Sequence, residues 1–299
     1  MRALLGRAPG VRRVRPGACG PAPPQGDRKE RHHRCRDGGV CMEVFSTPYP
    51  ETAWGVPPWI HSLFENPAAV ASGIEAALKR QGRTEKVVCI GGRRVHARYR
   101  GALYQRRFER GHDITYICYD NEAYMNTGIQ RSGATPYGAS TTTSPAGSCS
   151  LGNPRPKKDM PAILAAHGAP YVATASIAYR TTSCRRSSGR STPPAPATSR
   201  CTPPCCTGWG GFESGETLNM AKLAIETGLW VNYEMVDGRV EKAKKVRRKP
   251  VEEYLAKQKR FRHLFKPARR DDVIAQIQAI ADSNAERFGI DIKRKESSE

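Results

Sequence analysis

The sequence predicts an α/β protein built on a mostly parallel sheet covered by helices on both faces. Three observations carry that prediction. Apolar runs of strand length alternate along the chain with amphipathic stretches of helix length. The runs are apolar throughout rather than alternating, as strands covered on both faces are. No run approaches the roughly 20 apolar residues that a membrane span needs, so an integral membrane protein is excluded.

Residues 66–81 (NPAAVASGIEAALKRQ) predict a helix with Asn66 as N-cap, Pro67 in the first turn and Gly82 beyond its end. Ala69, Val70, Gly73, Ile74, Ala77 and Leu78 are expected to form its apolar face. Residues 86–90 (KVVCI) predict a buried strand, followed at once by a turn at Gly91-Gly92. Residues 113–119 (DITYICY) predict a second, ending at Asp120-Asn121. Asp159 is read as the cap of a helix over 159–167, and Tyr171–Ser176 as a third strand. His167, at the end of that helix, is read as structural. A helix over 216–227, a strand over 229–235 and a turn at Asp237-Gly238 follow, and helices over 250–264 and 271–288 complete the chain. Ligands of such sheets bind beyond the carboxyl ends of the strands, which makes Gly91-Gly92 and Asp120-Asn121 the informative positions.

The charge is distributed unevenly. Lys and Arg number 49 against 28 Asp and Glu, a net of +21. Three windows, 1–40, 93–107 and 180–204, hold 18 of those net charges, and the other 219 residues carry only +3. None of the windows has helical or strand periodicity, and 180–204 reads as a Ser/Pro/Arg linker. The Arg-rich N-terminus lacks the apolar stretch of about 7–15 residues that would follow in a targeting signal. No aromatic interleaving or nucleic-acid motif accompanies the arginines, so a basic nucleic-acid-binding module is the weaker alternative. The run 242–249 reads as a solvated surface or subunit contact.

Residues 119–134 (YDNEAYMNTGIQRSGA) carry the most specific chemistry. An Asp-Asn-Glu turn directly after a strand offers oxygens to a hard cation such as Mg²⁺. Asn126-Thr127-Gly128 offers amide, hydroxyl and backbone N–H groups to a diphosphate. The plainer reading of the same residues is a polar loop with Asx-turns. Cys89 and Cys118, in apolar strands, read as inert core residues.

Several blocks resemble one family: 41–54 (CMEVFSTPYPETAW), 61–66 (HSLFEN), 110–147, 157–179, 204–209 and 249–264 (KPVEEYLAKQKRFRHL). They are similar to the thiamine-diphosphate-binding β subunits of pyruvate:ferredoxin oxidoreductases, in the 2-oxoacid:ferredoxin oxidoreductase family. The resemblance implies a thiamine-diphosphate-binding fold over 41–236 and a basic helical C-terminal extension over 237–299. It implies that Asn121 (side chain) and Ala123 (carbonyl) hold Mg²⁺. It also implies that the diphosphate is lined by Asp120, Asn121, Glu122, Ala123, Tyr124, Asn126 and Thr127, with Gly91 and Gly92 among the cofactor-binding residues. Cys41 and Cys205 match two of the four ligands of a [4Fe–4S] cluster. The implied reaction is pyruvate to acetyl-CoA, with electrons passing through the cluster to ferredoxin and coenzyme A accepting the acyl group. The implied partners are α, γ and δ subunits in the cytoplasm. The glutamate that activates the cofactor belongs to the α subunit, so no catalytic residue is expected here. 2-Oxoisovalerate is the alternative substrate.

Two family elements are absent. After Gly92 the family has Asp-Gly, but this chain reads Arg93-Arg94, and no Cys-x-x-Cys occurs anywhere. Both gaps fall inside the basic windows. Shifted by one base, codons 8–16 can read "HRACAGCG" and codons 92–101 "GDGST", restoring the two motifs. Shifted the other way, codons 180–204 can read family-like strings that lead into Cys205. The windows are therefore expected to be frameshift products, from sequencing error or from a lesion. The literal chain is expected to bind thiamine diphosphate weakly, to hold no complete cluster and to be inactive.

Overall fold

The computed structural model describes residues 32–37, 59–63, 66–92, 110–179 and 197–292, with 32–37, 59 and 197–199 described by their backbone alone. Cys41, Arg93-Arg94, the 93–107 window and nearly all of the 1–40 window lie outside the described residues. The strands are β1 (His32–Asp37), β2 (Trp59–Ser62), β3 (Lys86–Gly92), β4 (Ile114–Tyr119), β5 (Ala146–Gly147), β6 (Ser150–Leu151), β7 (Tyr171–Ser176), β8 (Ala197–Thr202), β9 (Tyr233–Val236) and β10 (Arg239–Ala243). The helices are α1 (Pro67–Arg80), α2 (Met160–Ala166), α3 (Cys206–Trp209), α4 (Thr217–Glu226), α5 (Val251–Leu255) and α6 (Asp271–Phe288). 3₁₀ turns lie at Ser214–Glu216 and Lys259–Leu264.

Eight strands form one sheet in the order β10-β9-β7-β8-β4-β3-β1-β2. From β7 to β2 every pairing is parallel, whereas β9 runs antiparallel to β7 and β10 antiparallel to β9. The apolar runs of β3 and β4 are buried on both faces. Val87, Cys89, Ile114, Tyr116 and Cys118 join the large core that includes α1, and Val88, Ile90 and Ile117 cluster separately. Each fully buried Ile or Val contributes about 1.5–3 kcal/mol, so these two strands anchor the sheet.

Gly91 and Gly92 do not form a turn. They are the last two residues of β3, in register with Cys118 and Tyr119 of β4. Gly91 is required by packing: a Cβ there would fall on the Tyr116 hydroxyl and 2.9 Å from its Cζ, and Tyr116 is fully buried.

Helix α1 keeps part of its predicted face, since Leu78 is buried and Val70 and Ile74 pack half-buried against the core, but the face is turned. Its inward residues are Pro67, Ala68, Ala71, Glu75 and Leu78, while Ala69, Gly73 and Ala77 are exposed. The rotation follows from Glu75, whose carboxylate is held inside by His112 Nδ1 at 2.7 Å and by the backbone N–H of Asp113 at 3.2 Å. Asn66 makes no side-chain cap bond, whereas the Asp159 carboxylate accepts from Ala162 N–H at 3.2 Å, as expected of a cap.

Three further expectations are corrected. The predicted strand 229–235 begins only at Tyr233, because Thr174 Oγ1 accepts from Tyr233 N–H at 2.8 Å and donates to the Val231 carbonyl at 2.6 Å. The predicted helix 250–264 splits into α5 and a 3₁₀ turn. The window 180–204 is not wholly a linker, since 197–202 forms β8 in the centre of the sheet. Residues of α5, the following 3₁₀ turn and α6, among them Leu255, Phe261 and Ile277, share the main core with the strands.

Candidate functional site

Parallel pairing of β4 and β8 sets Tyr119 beside Cys201 and brings two segments to one edge of the sheet. One is the loop from Asp120, and the other is Pro203-Pro204 leading to Cys205. The Asp120 N–H donates to the Cys201 carbonyl at 2.9 Å, closing the ladder where the loop departs. Glu122 N–H then donates to Asp120 Oδ1 at 3.0 Å, an Asx-turn that holds Glu122 at φ 68°. Reciprocal bonds between Tyr124 and Gln130, at 2.9 and 3.2 Å, tie off the far end. Thr135 Oγ1 donates to the Glu122 carbonyl at 2.8 Å.

The loop has two halves. Asp120, Asn121, Glu122, Ala123 and Tyr124 are buried, whereas Asn126, Thr127 and Gly128 are exposed at its tip. Thr127 Oγ1 donates to Gln130 Oε1 at 2.6 Å, and Gly128 has φ 113°. Met125 packs against Gly208, where a Cβ would strike its sulfur, so the loop and the Cys205–Trp209 turn interlock. Within that turn Cys205 Sγ accepts from Gly208 N–H at 3.3 Å. Trp209 is buried and its Nε1–H donates to the Asn121 carbonyl at 2.8 Å.

Beneath the loop lies a buried charge cluster. Arg200 donates to Asp120 Oδ2 from Nε at 2.9 Å and also from Nη2. Lys157 Nζ lies 3.3 Å from the same oxygen and binds Glu122 Oε1 as well. Arg260 Nη2 donates to Glu122 Oε2 at 2.7 Å, and its Nε to Gln258 Oε1 at 2.8 Å. The aromatic walls are Trp209, with the Arg260 guanidinium 3.9 Å from its ring centre, and Trp230, with Lys157 Nζ at 4.7 Å and Arg200 Cζ at 5.0 Å.

Burial by itself would raise the Glu122 pKa, but Lys157 and Arg260 outweigh it and hold the carboxyl below its ordinary range. Burial would likewise lower that of Arg200, and Asp120 reverses the direction. Tyr254, beside Arg260, is pushed upward by burial and then by Glu122.

The sequence reading identified the loop and missed the cations and aromatics beneath it. Lys157, Trp209 and Arg260 all lie in blocks that carry the family resemblance, the only signal that could have singled them out. Arg200 lies in a window read as out of frame. Cys89 and Cys118 are buried, as expected of core residues, and His167 is the exposed C-cap of α2.

The residues fit the implied groups unequally. The exposed tip, with Asn126 and Thr127 at the surface and Gly128 at φ 113°, presents neutral polar groups suited to a diphosphate. The Mg²⁺ set does not close: Asp120 and Glu122 are both committed to cations, leaving the neutral Asn121 and Ala123 oxygens. No group of three His, Cys, Asp or Glu able to hold a metal occurs among the described residues. Of the matched cluster cysteines Cys205 is half-buried at the start of α3, and Cys41 lies outside the described residues.

Comparison with known proteins agrees with the fold. The family model "Thiamine pyrophosphate enzyme, C-terminal TPP binding domain" matches residues 38–183. The pyruvate synthase subunit PorB of Methanosarcina barkeri is 54% identical over 251 residues, covering 83% of this chain and 84% of that one. The PorB subunit of Methanothermobacter thermautotrophicus is 52% identical over 252 residues, covering 84% and 85%. The solved 2-oxoglutarate:ferredoxin oxidoreductase from Magnetococcus marinus, bound to 2-oxoglutarate, coenzyme A and succinyl-CoA, has the same fold. It aligns with a TM-score of 0.51 at 18% identity, over 66% of this chain and 69% of that one. Identity above one half across more than four fifths of both chains makes this protein a member of the pyruvate synthase subunit PorB family, the β subunits of 2-oxoacid:ferredoxin oxidoreductases.

Proposed function

We propose that this chain is the thiamine-diphosphate-binding subunit of a pyruvate:ferredoxin oxidoreductase, working with α, γ and δ subunits, with ferredoxin and with coenzyme A. The observation that carries the reading is the loop at the carboxyl end of β4. Its tip exposes Asn126 and Thr127, while its base is fixed by Trp209, Lys157 and Arg260. Thiamine diphosphate, when bound, supplies a carbanion that serves as the electron sink for decarboxylation. The chain's own residues at the exposed tip hold its diphosphate end. Asn121, Ala123, Tyr124, Gly91 and Gly92 complete the wall on the sheet side. Residues 41–236 form the cofactor domain in this reading, and 237–299 the basic extension. Pyruvate is favoured over 2-oxoisovalerate because the two relatives described above are both pyruvate synthase subunits.

Mg²⁺ and the [4Fe–4S] cluster belong to the same proposal through residues that the literal chain lacks. The family match runs from 38, at the end of the window 1–40, through 93–107 to 183, inside the window 180–204. The frameshift reading rests on the family motifs that the shifted codons restore. The test is to sequence codons 1–41, 92–108 and 180–205, and to assay the subunit complex with literal and frame-restored chains. The restored complex is expected to contain four iron and four sulfide at this subunit and to reduce ferredoxin with pyruvate and coenzyme A. The literal one is expected to contain neither and to be inactive. A clean gene read together with full activity and iron content of the literal chain would overturn the frameshift reading. Restored chains that bind thiamine diphosphate but turn over no 2-oxoacid would overturn the functional one.

A further inference from the structure

Segments far apart in sequence meet at Arg260, in the 3₁₀ turn that follows α5. Its Nη2 donates to Glu122 Oε2 in the β4 loop at 2.7 Å, and its Nε donates to Gln258 Oε1 at 2.8 Å. Its guanidinium carbon lies 3.9 Å from the centre of the Trp209 ring, whose Nε1–H holds the Asn121 carbonyl. Its own carbonyl accepts from Ser140 N–H at 2.8 Å. One residue thus ties the C-terminal segment to the loop, to the Cys205–Trp209 turn and to the chain beyond the loop.

The backbones are in contact as well. Lys259 N–H donates to the Gly210 carbonyl at 3.2 Å, and a Cβ at Gly211 would fall 2.4 Å from the Lys257 carbonyl oxygen. At the loop end Glu122 has φ 68°, which a residue with a side chain keeps only where its surroundings over-determine it. Its carboxylate is divided between two cations, Oε1 to Lys157 and Oε2 to Arg260.

Arg260 is costly to bury. Its side chain is less than a tenth exposed, and its Nη1 has no hydrogen-bond acceptor. Well-packed apolar groups of similar volume often stabilise a core as much as a buried ion pair does, so packing alone does not account for a guanidinium here. What an apolar side chain could not do is hold Glu122 and Trp209 at once, and with them both ends of the peptide link Asn121-Glu122.

We propose that Arg260 is a positioning residue for the cofactor loop, acting through Glu122 and Trp209, and that it makes the C-terminal segment 249–264 part of the thiamine diphosphate site. The inference rests on the cofactor reading for its ligand, whereas the clamp itself is tested without one.

Hydrogen exchange of the full chain without cofactor tests the clamp, with Arg260→Met beside the parent. The amides of Glu122, Tyr124 and Gln130 all have acceptors within the loop, so their exchange reports its opening. They are expected to exchange about tenfold or more faster in Arg260→Met, with a smaller change in β7. Arg260→Lys keeps a charge opposite Glu122 but not the fork to Gln258, and is expected to fall between. Glu122→Gln with Arg260→Met removes the pair without stranding Glu122, and carries the same comparison if Arg260→Met folds poorly. Equal acceleration of loop and β7 would reduce Arg260 to general packing and overturn the proposal, as would loop exchange unchanged in both variants. Titration then reads the consequence: the Kd for thiamine diphosphate is expected to rise about tenfold in Arg260→Met. By reciprocity, bound thiamine diphosphate is expected to slow exchange across Lys259–Leu264 in the parent and not in Arg260→Met. Equal affinity in the two proteins would overturn the positioning role. Selective loosening of the loop in a chain that binds no thiamine diphosphate would uphold the clamp and overturn the cofactor reading instead.

Discussion

Replacing Glu122 by alanine is expected to cost about 3–5 kcal/mol of folding stability, because it leaves buried cations without their counter-charge. Arg260 loses its acceptor at 2.7 Å, and Lys157 retains only the longer contact to Asp120 at 3.3 Å. Glu122→Gln keeps the shape and the backbone turn but not the charge, so it is expected to lose a smaller share. The same carboxylate sets a pH dependence. Its folded pKa lies below its ordinary value, so its contribution is fully present above the unfolded pKa of about 4.3 and is lost as pH falls through the folded value. Denaturant unfolding from pH 7 to pH 3 is expected to show a steeper acid loss in the parent than in Glu122→Gln. Identical acid limbs in the two proteins would remove Glu122 from the account.

The second large effect is expected at Trp209. Its side chain is buried, packs edge-on against Phe212 and Tyr254 at 6.2 and 6.3 Å, and carries the Arg260 guanidinium on its face. Trp209→Ala removes that volume and is expected to cost about 3–5 kcal/mol. Trp209→Phe retains an aromatic ring but abandons the bond to the Asn121 carbonyl, at an expected cost of about 1–3 kcal/mol. Because that bond fixes the start of the loop, Trp209→Phe is also expected to weaken thiamine diphosphate binding relative to thiamine. Trp209 is a positioning residue, and equal weakening for both ligands would reduce its role to general packing.

These two residues illustrate what could be read from the sequence. β3, β4 and β7 were legible because continuous apolar runs announce strands covered on both faces, and α2 because Asp159 is a working cap. β8 was illegible: ATSRCT offers a central parallel strand no large apolar side chain, and its place comes from pairing with β7 and β4 on either side. The α1 face was legible in part, at Val70, Ile74 and Leu78, but not at Glu75, which His112 and Asp113 hold inside from more than 35 residues away in sequence. In the candidate site the loop was legible from its own residues, since an Asx-turn and a glycine are local features. The charge cluster was not, because Arg260 meets Glu122 across 138 residues of sequence and Arg200 meets Asp120 across 80.

The central claim is that the tip of the β4 loop holds the diphosphate of thiamine diphosphate. The direct measurement is titration of the full chain with thiamine diphosphate and with thiamine, followed by quenching of tryptophan emission. The account predicts saturable binding of the diphosphate form that thiamine does not compete, weakened about tenfold or more by Asn126→Ala with Thr127→Ala. Equal affinity for the two ligands, or diphosphate binding unchanged by that double substitution, would contradict it.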